Sequence, residues 1–166
     1  MTTDIDLVEA TILETAGRSG TGSQYDSWHT NLNDGIAISA GDSNCAINYR
    51  GNEGDRPWLS LKLNEPKKVV QVQLARRTDG HSEAGQGKNV RVQVGYCATL
   101  NANDPMCKEI DQLHGTGLVV YECDQYHVGQ YVTFSNDQEY LTICEAKVFV
   151  EEGKLDVHMI VQNTVC

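Results

Sequence analysis

Three stretches of this chain alternate with a period of two: Pro57–Leu63 (PWLSLKL), Val69–Leu74 (VVQVQL) and Asn89–Val94 (NVRVQV). Successive side chains of a strand point to opposite faces. Each stretch therefore lays one set on a core: Leu59, Leu61 and Leu63; Val70, Val72 and Leu74; or Val90, Val92 and Val94. Helical periodicity is scarce. Leu7–Thr15, Leu118–Glu122, Gln130–Phe134 and Leu141–Val150 add further strand-like segments, and Gly, Asn and Asp punctuate the gaps. Short strands separated by turns predict an all-β, antiparallel sandwich or barrel. The segment from Ala16 to Asp55 is dense in Gly, Ser, Asn and Asp and reads as long loops. Lys154–Val161 is either a last edge strand or a tail.

A chain of 166 residues suits one domain, here 1–166, with a core of its own. No apolar run is long enough to span a bilayer, which predicts no membrane insertion. The formal net charge of −10 excludes the basic stripe that nucleic acid requires and opposes docking on anionic lipid. Surplus carboxylates suit either a site for a hard cation such as calcium or simply a soluble surface. The six cysteines, at 45, 97, 107, 123, 144 and 166, have no Cys-x-x-Cys spacing, which favours disulfides over zinc. Met1–Ile5 carries no leader pattern. Either the sequence is that of a mature secreted chain or the thiols stay reduced in a cytosol, and the cysteine usage favours the first.

Catalytic signatures are missing. The sequence holds no Gly-x-Ser-x-Gly elbow and no His-Glu-x-x-His, and Gly17–Gly22 (GRSGTG) opens no helical pattern, so it reads as a loop and not a phosphate cradle. The five histidines lack metal-ligand spacing. The expectation is a binding protein and not an enzyme.

The segment Glu139–Val148 (EYLTICEAKV) sets Cys144 beside Glu145 inside an apolar strand. Neighbours on a strand face opposite sides, so a bridge at Cys144 leaves Glu145 needing solvent, a counter-charge or a metal. This segment resembles the closing strand of F-type lectins (fucolectins) and of the wider discoidin, or coagulation factor 5/8 type C, galactose-binding-like domains. Further pieces match in order. They are Asn33-Asp34-Gly35, Asn44-Cys45, Pro57-Trp58-Leu59-Ser60-Leu61, Arg77-Thr78-Asp79, Asn89–Gly95 (NVRVQVG) and Gly129-Gln130-Tyr131-Val132. Together they cover roughly residues 7–151 and leave 152–166 as a C-terminal extension.

The resemblance implies a disulfide-bonded jelly-roll β-sandwich that recognises a glycan or glycoprotein outside the cell, in defence, adhesion or gamete contact. It implies the bridges Cys45–Cys144 and Cys107–Cys123. That leaves Cys97 and Cys166, either to each other or with Cys166 bridging subunits. It also implies a structural calcium. The ligands carried over are backbone oxygens of Asn31, Ile36 and Cys144 with side-chain oxygens of Asp34, Asn44 and Glu145. The family usually has Asn where Ile36 stands and Ser where Asn44 stands; a carbonyl ligand is indifferent to its side chain, and Asn supplies an oxygen. Its fucose site uses a His and two basic residues around an Arg-x-Asp turn. Arg77 and Asp79 are in place here. The expected His position falls among Ile47, Asn48, Tyr49 and Arg50, with Arg50 as a substitute donor. Ala84 occupies the second basic position, and Lys88 is the nearest cation. With His81 and an aromatic such as Tyr49 or Trp28, these residues either recognise a glycan other than fucose, or the sugar site is lost and the fold serves protein adhesion. A single shallow site gains avidity by homo-oligomerisation, for which 152–166 is the segment to suspect.

Overall fold

The computed structural model describes residues 6–17, 28–38, 44–50 and 55–153. Its strands are β1 (Leu7–Glu9), β2 (Ile12–Gly17), β3 (Ala46–Tyr49), β4 (Trp58–Ala75), β5 (Lys88–Gly95), β6 (Met106–Gln112), β7 (Leu118–Ser135), β8 (Tyr140–Ile143) and β9 (Glu145–Glu151). A 3-10 helix at Trp28–Asn33 and a wound turn at Ser82–Gln86 complete the described elements. All strand pairs are antiparallel. The main sheet runs β1-β9-β4-β7-β5-β6, with β2 also on β4, and β3 pairs β8 separately. The anticipated jelly-roll sandwich is the fold.

Two expected pairs of short strands are each one long strand. Pro57–Leu63 and Val69–Leu74 are the halves of β4, while Leu118–Glu122 and Gln130–Phe134 are the halves of β7; each strand has 18 residues. The ladder between them is irregular from Lys62 to Lys67 and again from Val69 to Gln71. Pro66, which has no N–H to give, falls in the first irregularity, where the ladder asks for none. Around these irregularities the two strands pass from one layer to the other. The first half of β4 lies between β2 and the second half of β7, and its second half lies between β9 and the first half of β7.

Both layers supply one core. Leu59, Leu61, Leu63, Val92, Val132 and Phe134 of one join Val72, Leu74, Tyr121, Val148 and Val150 of the other. Each buried Leu, Val or Phe side chain contributes about 1.5–3 kcal/mol by leaving water. Where β7 passes β5, a Cβ on Gly129 would sit 2.6 Å from the Gly95 carbonyl oxygen, so the close approach requires glycine.

The expected strand Leu141–Val150 divides at Cys144. There the Cys144 N–H donates to the Ala75 carbonyl at 2.8 Å, and the chain leaves β3 for β4. Cys144 is bonded to Cys45 at that junction, and Cys107 to Cys123 ties β6 to β7. Cys97 is also oxidised; its suggested partner Cys166 lies outside the described residues. So do most of the Gly17–Gly22 loop, the candidate strand Lys154–Val161, and all but the first two residues of the 152–166 extension.

Candidate functional site

Strand β4 ends at Ala75, and the chain then turns through Arg77-Thr78-Asp79-Gly80, with Gly80 at φ 88°. Arg77 is only 4% exposed. Its guanidinium makes a two-pronged bond to Asp79, with Nε 3.0 Å from Oδ1 and Nη2 on Oδ2, and Nη1 donates to Gln86 Oε1 at 3.2 Å. The hydroxyl of Thr142, on β8, donates to the same Gln86 oxygen at 2.7 Å. The Arg77–Asp79 pair thus fastens the loop to the wound turn, and Gln86 fastens both to β8. The Arg77 guanidinium holds the Asp79 carboxyl below its ordinary pKa, outweighing the opposing effect of burial.

Strand β8 connects this loop to Tyr49 and Arg50. Ile47 pairs with Thr142 and Tyr49 with Tyr140, and the two tyrosine rings lie 5.2 Å apart at a 45° tilt. The Arg50 N–H donates to the Glu139 carbonyl at 2.8 Å, and its Nε donates to the Asp55 carbonyl at 3.0 Å. Tyr49, Asp79 and His81 are exposed, while Arg50 is half-buried. The His81 N–H reaches Asp79 Oδ1 at 3.5 Å. Arg50, Tyr49, Arg77, Asp79 and His81 are therefore all tied to one strand and its attached loop. Lys88 is exposed at the start of β5 opposite Gln112, and no contact links it to the others. Three participants were not foreseen from sequence: Gln86, Tyr140 and Thr142. They carry no motif, and only the pairing of β8 with β3 brings them in.

Of the suggested cation ligands, Glu145 meets the turn at Asp34. Glu145 is 2% exposed, and its Oε2 accepts from the backbone N–H groups of Asp34 (3.1 Å) and Gly35 (3.0 Å). Asp34 Oδ1 accepts from the Ile36 N–H at 2.9 Å. Asn31 Nδ2 donates to the Cys45 carbonyl at 3.3 Å, and Cys45 is bridged to Cys144 beside Glu145. Burial raises the Glu145 pKa above its ordinary 4.5; the Gly35 N–H opposes this, and the nearby Asp34 charge adds to it. A buried carboxylate beside a second carboxylate, among backbone and amide oxygens, is a donor set of the kind a hard divalent cation takes. Asn44 is half-buried next to Cys45.

No protein-family profile and no curated protein sequence matches the chain. Solved structures do. An F-lectin (fucolectin) from the serum of Morone saxatilis, the striped bass, superposes with a TM-score of 0.63 at 21% identity, over 85% of this chain and 46% of that one. A fucose binding module of Streptococcus pneumoniae gives 0.61 at 19% identity, over 83% and 91%. The CBM32 of AlyQ, solved in complex with 4,5-unsaturated mannuronic acid, gives 0.61 at 15% identity, over 85% and 97%. The chain thus has the discoidin-like, galactose-binding jelly-roll fold. It spans about half the length of the fucolectin chain it matches.

Proposed function

We propose that this protein is a calcium-stabilised carbohydrate-binding lectin, non-catalytic and secreted, that recognises glycans with the loops around Tyr49 and His81. The observation that carries this reading is the cluster held on β8. There an exposed tyrosine, tilted on a second ring, stands with Arg50, Asp79 and His81 as hydrogen-bonding groups. A saccharide asks for this combination: an aromatic surface for its C–H face, with donors and acceptors for its hydroxyls. Solved relatives of the fold that are named for fucose or were crystallised with a uronic acid lend support.

Arg77 plays a different part from the one its motif suggests. Buried and engaged with Asp79 and Gln86, it positions the loop, while Asp79 and His81 present to solvent. Together with the absence of a histidine at positions 47–50, this argues for a saccharide other than fucose. The same observation supports the second reading, an adhesion module whose loops meet a protein.

Calcium would be held by Asp34 and Glu145 with Asn44 and the carbonyls of Asn31, Ile36 and Cys144, neutralising the buried Glu145 and fixing the loop from Asn31 to Ile36. The bridges of Cys45 and Cys107 support an oxidising, extracellular setting. Among the described residues no helix is long and apolar enough to cross a membrane.

Retention on immobilised monosaccharides tests the lectin reading. Wild-type protein is expected to be retained and eluted by free sugar, and Tyr49→Ala to lose retention while melting unchanged. Full retention of Tyr49→Ala would move the site elsewhere.

A further inference from the structure

A cleft of about 580 Å3 opens beside β5, and neither Asp79 nor His81 is among its lining residues. It is lined by Asp55 and Arg56 ahead of β4, Arg91 and Gln93 on β5, and Leu100 and Met106 on the β5–β6 connection and the start of β6. Its parts are held in place. The Arg91 Nε donates to Glu109 Oε1 at 3.0 Å, which orients the guanidinium. Gln93, 6% exposed, donates from Nε2 to the carbonyls of Asn101 (3.2 Å) and Asp104 (2.8 Å). Those bonds pin the loop that carries Leu100 and leave the Gln93 side-chain carbonyl as an acceptor.

The face of the sheet that bears the cleft carries further polar side chains. In the ladder between β5 and β7, Arg91 stands opposite Ser135 and Gln93 opposite Thr133. Directly paired residues project to the same face of a sheet. Ser135 and Thr133 are 0% and 2% exposed, and the hydroxyl oxygen of each is buried without a hydrogen-bond partner. Buried polar groups without partners are uncommon in folded proteins and call for an explanation. These two share the face of Arg91 and Gln93 but are shielded from solvent and do not line the cleft, whose lining residues are those a ligand meets.

We propose that this cleft is a second saccharide subsite, which takes a neutral pyranose. The proposal rests on the reading of the protein as a glycan-binding module. Arg56 and Arg91 donate, the Gln93 carbonyl and Asp55 carboxylate accept, and Leu100 and Met106 offer an apolar surface to the C–H face of a ring. The charges of Arg56 and Arg91 are offset by Asp55 in the lining and by Glu109, the ion partner of Arg91, which disfavours an acidic sugar. The cleft is joined to the first site by the Arg50–Asp55 bond at 3.0 Å, so one oligosaccharide could engage both.

The test is a 1H–15N NMR titration of the full chain with L-fucose, D-galactose and D-mannose, and with D-glucuronate in parallel. A neutral sugar is expected to shift the Leu100, Ala102 and Met106 amides saturably. Arg91→Ala and, independently, Arg56→Ala should each weaken that response about tenfold, with the rest of the spectrum unmoved. Saturable shifts confined to Tyr49, Asp79 and His81 would overturn the second subsite and leave the lectin reading standing. No shift with any of the sugars would overturn both. Tighter binding of glucuronate than of every neutral sugar at the cleft would overturn the assignment of ligand class.

Discussion

Arg77 and Asp79 show how a motif can be read correctly in type while its packing stays hidden. The sequence shows an Arg-x-Asp turn; it cannot show that the guanidinium points inward, because that depends on Gln86 and Thr142, which reach it only through the fold. Asp79→Ala is expected to remove the two-pronged partner of a buried guanidinium. The cost should be about 2–3 kcal/mol in urea denaturation, less than for a fully buried ion pair because Asp79 reaches solvent. Glu145 carries the opposite sign of pH dependence. Its folded pKa is raised, so the native state binds the proton more readily than the unfolded chain. Without a cation, this group's contribution to stability is greatest below its ordinary 4.5 and falls as pH rises through the elevated folded value. Calcium bound there would reverse that. Melting curves are expected to show a gain on adding calcium at neutral pH, a loss of that gain in acid, and no gain in Glu145→Gln. An equal midpoint with calcium and with chelator at neutral pH would remove the cation from this account.

The strands were legible wherever the period of two was unbroken, as in Val90, Val92 and Val94, all fully buried on β5. Their joins were not. Asn64–Lys68 (NEPKK) breaks the alternation between Pro57–Leu63 and Val69–Leu74, yet β4 carries it through as an irregularity, with the ladder to β7 paired on both sides. The division at Cys144 was equally hidden, since a change of hydrogen-bonding partner leaves no mark in a hydrophobic pattern. The Cys45–Cys144 bridge holds that junction and closes a separation of 99 residues. Replacing both cysteines by serine should lower stability by about 3–5 kcal/mol on the loop-entropy model and loosen β3 and β8. Hydrogen exchange should show the β3–β8 amides losing protection ahead of those of β5. Equal protection in the two would mean that the bridge does not control this end of the sandwich.

At the scale of the molecule, polar groups among the described residues gather around β8 and along β5, and positions 47–50 supply no histidine. An antiparallel sandwich or barrel could be anticipated because it is written in periodicity, while the jelly roll and the bridges came from the resemblance of ordered motifs. The ligand could not be anticipated, because specificity is set by which polar groups the packing spends internally and which it leaves at the surface. The most direct measurement is a glycan array probed with the intact protein in calcium and again in chelator. The account predicts saturable binding to a limited set of glycans, weakened by chelation and by Tyr49→Ala. A folded, calcium-loaded protein that binds no glycan on the array would contradict it.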